Sequence, residues 1–186
     1  MLTLASRNIV SFLLVAVFAL AVPLNARADN GFAKPWTTVA SAGTVDEADA
    51  NKVNYSEGTA RLNLAVPANS TATIRYNVVA VDGLVDAGGD GFSLGVRFRD
   101  NGQDERVVVR LKAVDLNTGI VTTLMTLDSN AFAPNALFQF RQVPVCWPPW
   151  GFNFNRNAYF VEAILWKGTT AGNPGLTAVQ ISKTIC

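Results

Sequence analysis

Apolar residues in this chain recur at every second position, in short runs cut by glycine, proline and asparagine. A period of two is the signature of a half-buried strand, and no stretch sustains the 3.6-residue period of a helix. Phe92, Leu94, Val96 and Phe98 point one way, while Ser93, Gly95, Arg97 and Arg99 point the other. Val107, Val109, Leu111 and Ala113 alternate in the same manner with Val108, Arg110, Lys112 and Val114. Asp100-Asn101-Gly102 and Asn117-Thr118-Gly119 punctuate these runs as turns, and Gly119 suits the left-handed position of a bulged hairpin. With residues 120–127 the region reads as a three-stranded antiparallel meander with one wet face. Further strands are predicted over 36–42, 60–66, 71–81, 137–143, 158–166 and 176–185, whereas 45–57 is acidic, polar and expected to be irregular. Eight or nine short strands predict an all-β fold. Its expected form is an antiparallel β-sandwich with jelly-roll or other Greek-key connections, a closed barrel being the alternative.

Residues 1–28 stand apart from this pattern. Arg7 is followed by an uncharged apolar run over 9–22, then by Pro23 and by Ala26-Arg27-Ala28. That order is a secretory leader with its cleavage site. The run is shorter than the ~20 residues that span a bilayer as a helix, which argues against an anchor. The expected mature chain is residues 29–186, one domain, secreted or periplasmic, with no membrane insertion. The whole chain carries a net charge of +1, and loss of Arg7 and Arg27 leaves 13 basic against 14 acidic residues. No nucleic-acid partner is expected, since that would call for a basic excess.

Two cysteines, Cys146 and Cys186, remain in the mature chain. In an exported protein they are expected to form one disulfide, closing a loop of ~40 residues and tying down the C-terminus. The chain has no histidine. This excludes Ser-His-Asp and Cys-His triads and His-ligated zinc, but not a glycosidase, which needs only two carboxylates. Glu162 lies among apolar neighbours, and paired with an aspartate such as Asp90 it is the candidate acid. The bland alternative is a Glu162 paired with an arginine of the meander.

Asp82, Asp86 and Asp90, spaced four apart in a glycine-rich loop, are candidate Ca²⁺ ligands, although an Asp/Gly loop serves equally as a solvated turn. Calcium is the only cofactor the sequence suggests. Asn54-Tyr55-Ser56 and Asn69-Ser70-Thr71 match the glycosylation sequon. The candidate ligand site is the segment 147–157. There Trp147, Trp150, Phe152 and Phe154 are interleaved with Asn153, Asn155, Arg156 and Asn157. Aromatic faces stack on sugar rings and amides bond sugar hydroxyls; the same rings in a rigid loop would instead cap one end of the core.

These observations predict a secreted, non-enzymatic binding module whose ligand is a glycan or a protein surface. The alternatives are a structural or interaction protein of the cell envelope or matrix, recruiting partners through a sheet edge, and a carboxylate-based glycan-active enzyme.

Overall fold

The computed structural model describes residues 34–81, 91–102, 104–146 and 148–184. All belong to one compact unit, Ala33–Cys186. The leader expected over 1–28 and the Asp82/Asp86/Asp90 loop lie outside the described residues.

Eleven strands are present among the described residues: β1 (Trp36–Val39), β2 (Thr44–Val45), β3 (Val53–Ser56), β4 (Thr59–Leu62), β5 (Ser70–Val78), β6 (Gly91–Asp100), β7 (Glu105–Asp115), β8 (Val121–Asp128), β9 (Asn135–Val145), β10 (Asn157–Lys167) and β11 (Gly175–Thr184). They form two antiparallel sheets. One has the order β3-β4-β11-β6-β9, with β1 also paired to β11; the other has the order β2-β5-β10-β7-β8.

The pairing follows a simple rule. β7 pairs β8, β6 pairs β9, β5 pairs β10 and β4 pairs β11. The eight strands are thus one long hairpin whose tip is the turn after Asp115, where Gly119 takes φ 71° and donates its N–H to the Asp115 carbonyl. This hairpin is rolled up and closed by the contacts β6–β11 and β7–β10, and every link except β7–β8 crosses between sheets. That is a jelly roll.

The inward positions predicted by alternation fill the space between the sheets. Ile74, Leu94, Val96, Phe98, Val109, Leu111, Val161, Leu165 and Ile181 are fully buried. Buried polar groups pin the crossovers. Ser129 Oγ accepts the Val107 N–H and donates to the Asp100 carboxylate. Glu105 accepts the N–H groups of Asn101 and Asn173. Lys167, wholly buried, donates to the carbonyls of Leu64 and Asn63.

Three expectations are corrected. The strand count is eleven rather than eight or nine, because the segment 45–57 supplies β3 and part of β2, its 3-10 turn (Glu47–Lys52) anchored on β5 through Asp49. The meander over 92–127 does not form. β6 lies in one sheet and β7–β8 in the other, because the Asp100-Asn101-Gly102 turn serves a crossover. The strand expected over 60–66 ends at Leu62, where Asn63 turns the chain by accepting the Ala65 N–H on its Oδ1; Leu64 is left 60% exposed.

Candidate functional site

The aromatic segment after β9 is built inward. Trp150 stacks on Phe92 at 5.3 Å between ring centroids, with an interplanar angle of 6°. Phe152 is 5% exposed and meets Phe92 edge-on at 4.9 Å and Tyr159 at 4.7 Å. Phe154 continues the cluster against Phe152 and Tyr159. The interleaved polar groups serve the loop itself. Asn153 Oδ1 accepts the Asn155 N–H, the Asn153 N–H donates to the Tyr159 hydroxyl, and Arg156 pairs with Asp115 at the tip of the β7–β8 hairpin. The ligand-site reading of Trp150, Phe152 and Phe154 therefore gives way to its alternative: these rings close one end of the core, where burying their area outweighs leaving it in water. Trp147 lies outside the described residues. Cys146 is disulfide-bonded; its expected partner, Cys186, lies outside them too.

Glu162 sits at the middle of β10, a central strand, on the outer face of the five-stranded sheet. Its neighbours in register are Arg75 on β5 and Arg110 on β7. Its Oε1 lies 2.6 Å from Lys112 Nζ and 3.5 Å from Arg110 Nη1. The carboxylate is committed to two cations rather than set in an apolar pocket, as the bland alternative had it.

Around it the outer face presents successive rows, read from β5 through β10 to β7. Asn77, Phe160 and Lys112 form one row; Arg75, Glu162 and Arg110 the next; then Thr73, Ile164 and Val108; then Thr71, Trp166 and Arg106. The last two rows enclose a shallow cleft of about 390 Å³, lined by Thr71, Arg106, Val108, Arg110, Asn130, Ile164 and Trp166. Gly168 explains the posture of the indole. A Cβ at Gly168 would lie 2.7 Å from Trp166 Cη2 and 3.1 Å from its Cζ2, so the benzo ring occupies space that only glycine leaves. The ring rests along the strand instead of standing off it.

Arg106 is fixed by a two-point pair with Asp128, through Nε at 3.0 Å to Oδ1 and through Nη2 to Oδ2. That pairing holds the Asp128 carboxyl below its ordinary range, although partial burial opposes the shift. Arg110 contacts Glu162 through Nη1 at 3.5 Å and also lines the cleft.

Alternation along β10 could not show this site, since Phe160, Ile164 and Trp166 make its outer face as apolar as its inner one. The readable signals were local: Arg106 and Arg110 share a strand face, and a tryptophan is followed at i+2 by glycine.

No protein-family model matches this sequence. No curated protein matches it either. Among solved structures, the chain is similar to the C-terminal family 6 carbohydrate-binding module of LamC, a laminarinase of Zobellia galactanivorans. That match has 12% identity and a TM-score of 0.46, over 81% of this chain and 100% of that one. A xylan-binding module of family 15 matches at 12% identity and a TM-score of 0.45, over 82% and 97% of the two chains. The enzymatically active domain of tailspike protein 4 from bacteriophage CBA120 matches at 13% identity and a TM-score of 0.45; 81% of this chain covers 19% of that chain. The jelly roll itself rests on the strand order.

Proposed function

We propose that this protein is an exported, non-enzymatic module that binds a glycan chain in the cleft on the outer face of the five-stranded sheet. The observation that carries the reading is the flat-lying Trp166 beside Arg106, Arg110, Thr71 and Asn130. An apolar ring face meets the C–H face of a sugar, while the surrounding donors meet its hydroxyls. An open cleft suits a chain that runs past the site, as opposed to a small molecule enclosed by it. The commitment of Glu162 to Lys112 and Arg110 supports binding over acid catalysis.

The test is a titration of tryptophan fluorescence, with affinity electrophoresis, against a panel of soluble plant, algal and bacterial polysaccharides. At least one should bind the native protein, and Trp166→Ala should lose about tenfold or more in affinity, on the scale of the ~1–3 kcal/mol that a nucleic-acid base gains by stacking on one aromatic ring. Its thermal transition should move little, because Trp166 lies on the outer face. A native protein that binds no glycan, or a Trp166→Ala variant that binds as well as the native one, overturns the proposal.

A further inference from the structure

The opposite outer face, that of the six-stranded sheet, gathers positive charge that no carboxylate among the described residues neutralises. Arg61 on β4 and Arg99 on β6 both stand opposite Gly175 of the intervening β11, so the two side chains bracket one glycine. Arg97 stands one step along β6, opposite Phe140 of β9. Among the described residues, none of the three makes an ion pair, whereas Arg75, Arg106, Arg110 and Arg156 each hold a carboxylate. Glu57, at the β3–β4 turn, lines a neighbouring cleft with Arg61, and among the described residues no ion pair joins the two. In a chain of net charge +1 this clustering is not a by-product of basic composition.

The face is also shaped. Phe138 reaches from β9 across β6 to β11: a Cβ at Gly175 would lie 3.3 Å from Phe138 Cζ and 3.0 Å from Arg61 Cγ. The Arg61 guanidinium stacks over that ring, 5.1 Å from its centroid. Phe140 lies over Gly95, where a Cβ would meet its ring at 2.6 Å. Two glycines thus let two phenylalanine rings lie down among three guanidinium groups. Arg99 Nε, on the strand that Phe138 crosses, is buried and has no hydrogen-bond partner. A buried donor without an acceptor costs free energy and calls for a cause, as do like charges gathered on one face.

We infer that this face is a second ligand site, separate from the Trp166 cleft, and that its ligand is an acidic polysaccharide bearing uronate carboxylates or sulfate esters. Guanidinium forks match both groups. The arginines are spread over about two strand spacings, ~9–10 Å, and one two-residue step along a strand, ~7 Å, which suits charges repeated along a chain better than a single small anion. The exposed ring of Phe140, with the half-buried ring of Phe138 beside it, offers the apolar contact that sugar rings use and that a bare polyanion does not.

The experiment measures binding of the native protein to heparin, polygalacturonate, polyaspartate and a neutral β-glucan, from low to physiological salt. Heparin or polygalacturonate should bind with an affinity that falls as salt rises. Arg61→Gln/Arg97→Gln/Arg99→Gln should lose at least about tenfold, as charge-assisted bonds are removed. Trp166→Ala should keep this binding even where it loses another glycan, so the two sites fail separately. Should the triple variant not fold, Arg97→Gln, at an exposed position, carries the test with a drop of about threefold or more. Equal binding by the arginine variants, loss in Trp166→Ala, or equal affinity for polyaspartate each overturns the inference.

Discussion

At the scale of single residues, the packing of Gly43 shows how little room the sandwich leaves. A Cβ there would lie 2.4 Å from Ile74 Cγ2 and 2.5 Å from Tyr76 Cε1. Both partners are buried core residues, so neither can swing into solvent. The Tyr76 hydroxyl is occupied as well, donating to the Ala40 carbonyl at 3.0 Å, and burial pushes its phenol well above the ordinary range, keeping that proton in place. Gly43→Ala is therefore an overpacking change. It should cost about 1–3 kcal/mol, as inserted core volume generally does, and should appear as a lower urea midpoint with an unchanged slope. Gly119→Ala is a useful contrast. Nothing lies within 4 Å of its Cβ position, and only its φ of 71° opposes the change. A midpoint for Gly43→Ala equal to that of the native protein would show that the Ile74–Tyr76 wall yields, contrary to this reading.

At the scale of elements, short carboxylate clasps secure the strand ends. Asp128 closes the end of β8 through Arg106 and caps the following turn by accepting the Asn130 N–H. Asp115 accepts the N–H groups of Thr118 and Asn117 at the hairpin tip and pairs with Arg156. Asp49 pairs with Lys52 inside the turn before β3 and ties that turn to β5 by accepting the Thr73 N–H. Bonds of this kind hold all three carboxyls below their ordinary range: for Asp128 and Asp115 they are the leading cause, and for Asp49 they outweigh the opposing push of burial. A carboxyl whose pKa is lowered on folding adds stability that is complete above its unfolded value of ~3.9 and is lost as pH falls through the folded value. The melting temperature should therefore stay nearly level from pH 7 to 5 and drop steeply below about pH 4; a melt that stays flat to pH 2.5 would count against these clasps. The strands themselves were legible from alternation, since periodicity reports which side chains face inward. It does not report which sheet a strand joins. Asp100-Asn101-Gly102 has the composition of a hairpin turn, and only the distant Ser129 and Asn173 show it to be a crossover. Likewise the composition of 147–157 is the same whether its rings stack on a sugar or on one another. The choice was made by Phe92, which lies on another strand far from it in sequence, and Trp166 was hidden on a strand apolar on both faces.

At the scale of the whole molecule, the rolled hairpin makes its last strand a central one. β11 pairs β1, β4 and β6, so the six-stranded sheet cannot be completed until this strand is in place, and fraying of β11 would open the middle of the sheet. A bridge between the two cysteines would answer this weakness. Phe92 of β6 is the register partner both of Val145, the last residue of β9, and of Lys183, next to the last of β11. Strands β9 and β11 therefore leave the sheet at the same end, one on each side of β6, and Cys146 follows directly on one while Cys186 follows shortly on the other. Cys146 is disulfide-bonded, and a bridge to Cys186 would clamp β11 across the end of β6, beside the stacked Phe92 and Trp150. Closing a loop of ~40 residues removes unfolded-state freedom worth ~4 kcal/mol in the chain-entropy account. Cys186→Ser and Cys146→Ser should each lower the melting temperature by at least several degrees, on the basis of ~2–5 kcal/mol lost from a domain of this size. Reduction of the native protein should produce the same drop, and the two variants should not differ from each other. Alkylation of the purified, denatured, unreduced protein checks the chemistry directly, because two modified thiols per chain would mean that the clamp does not exist.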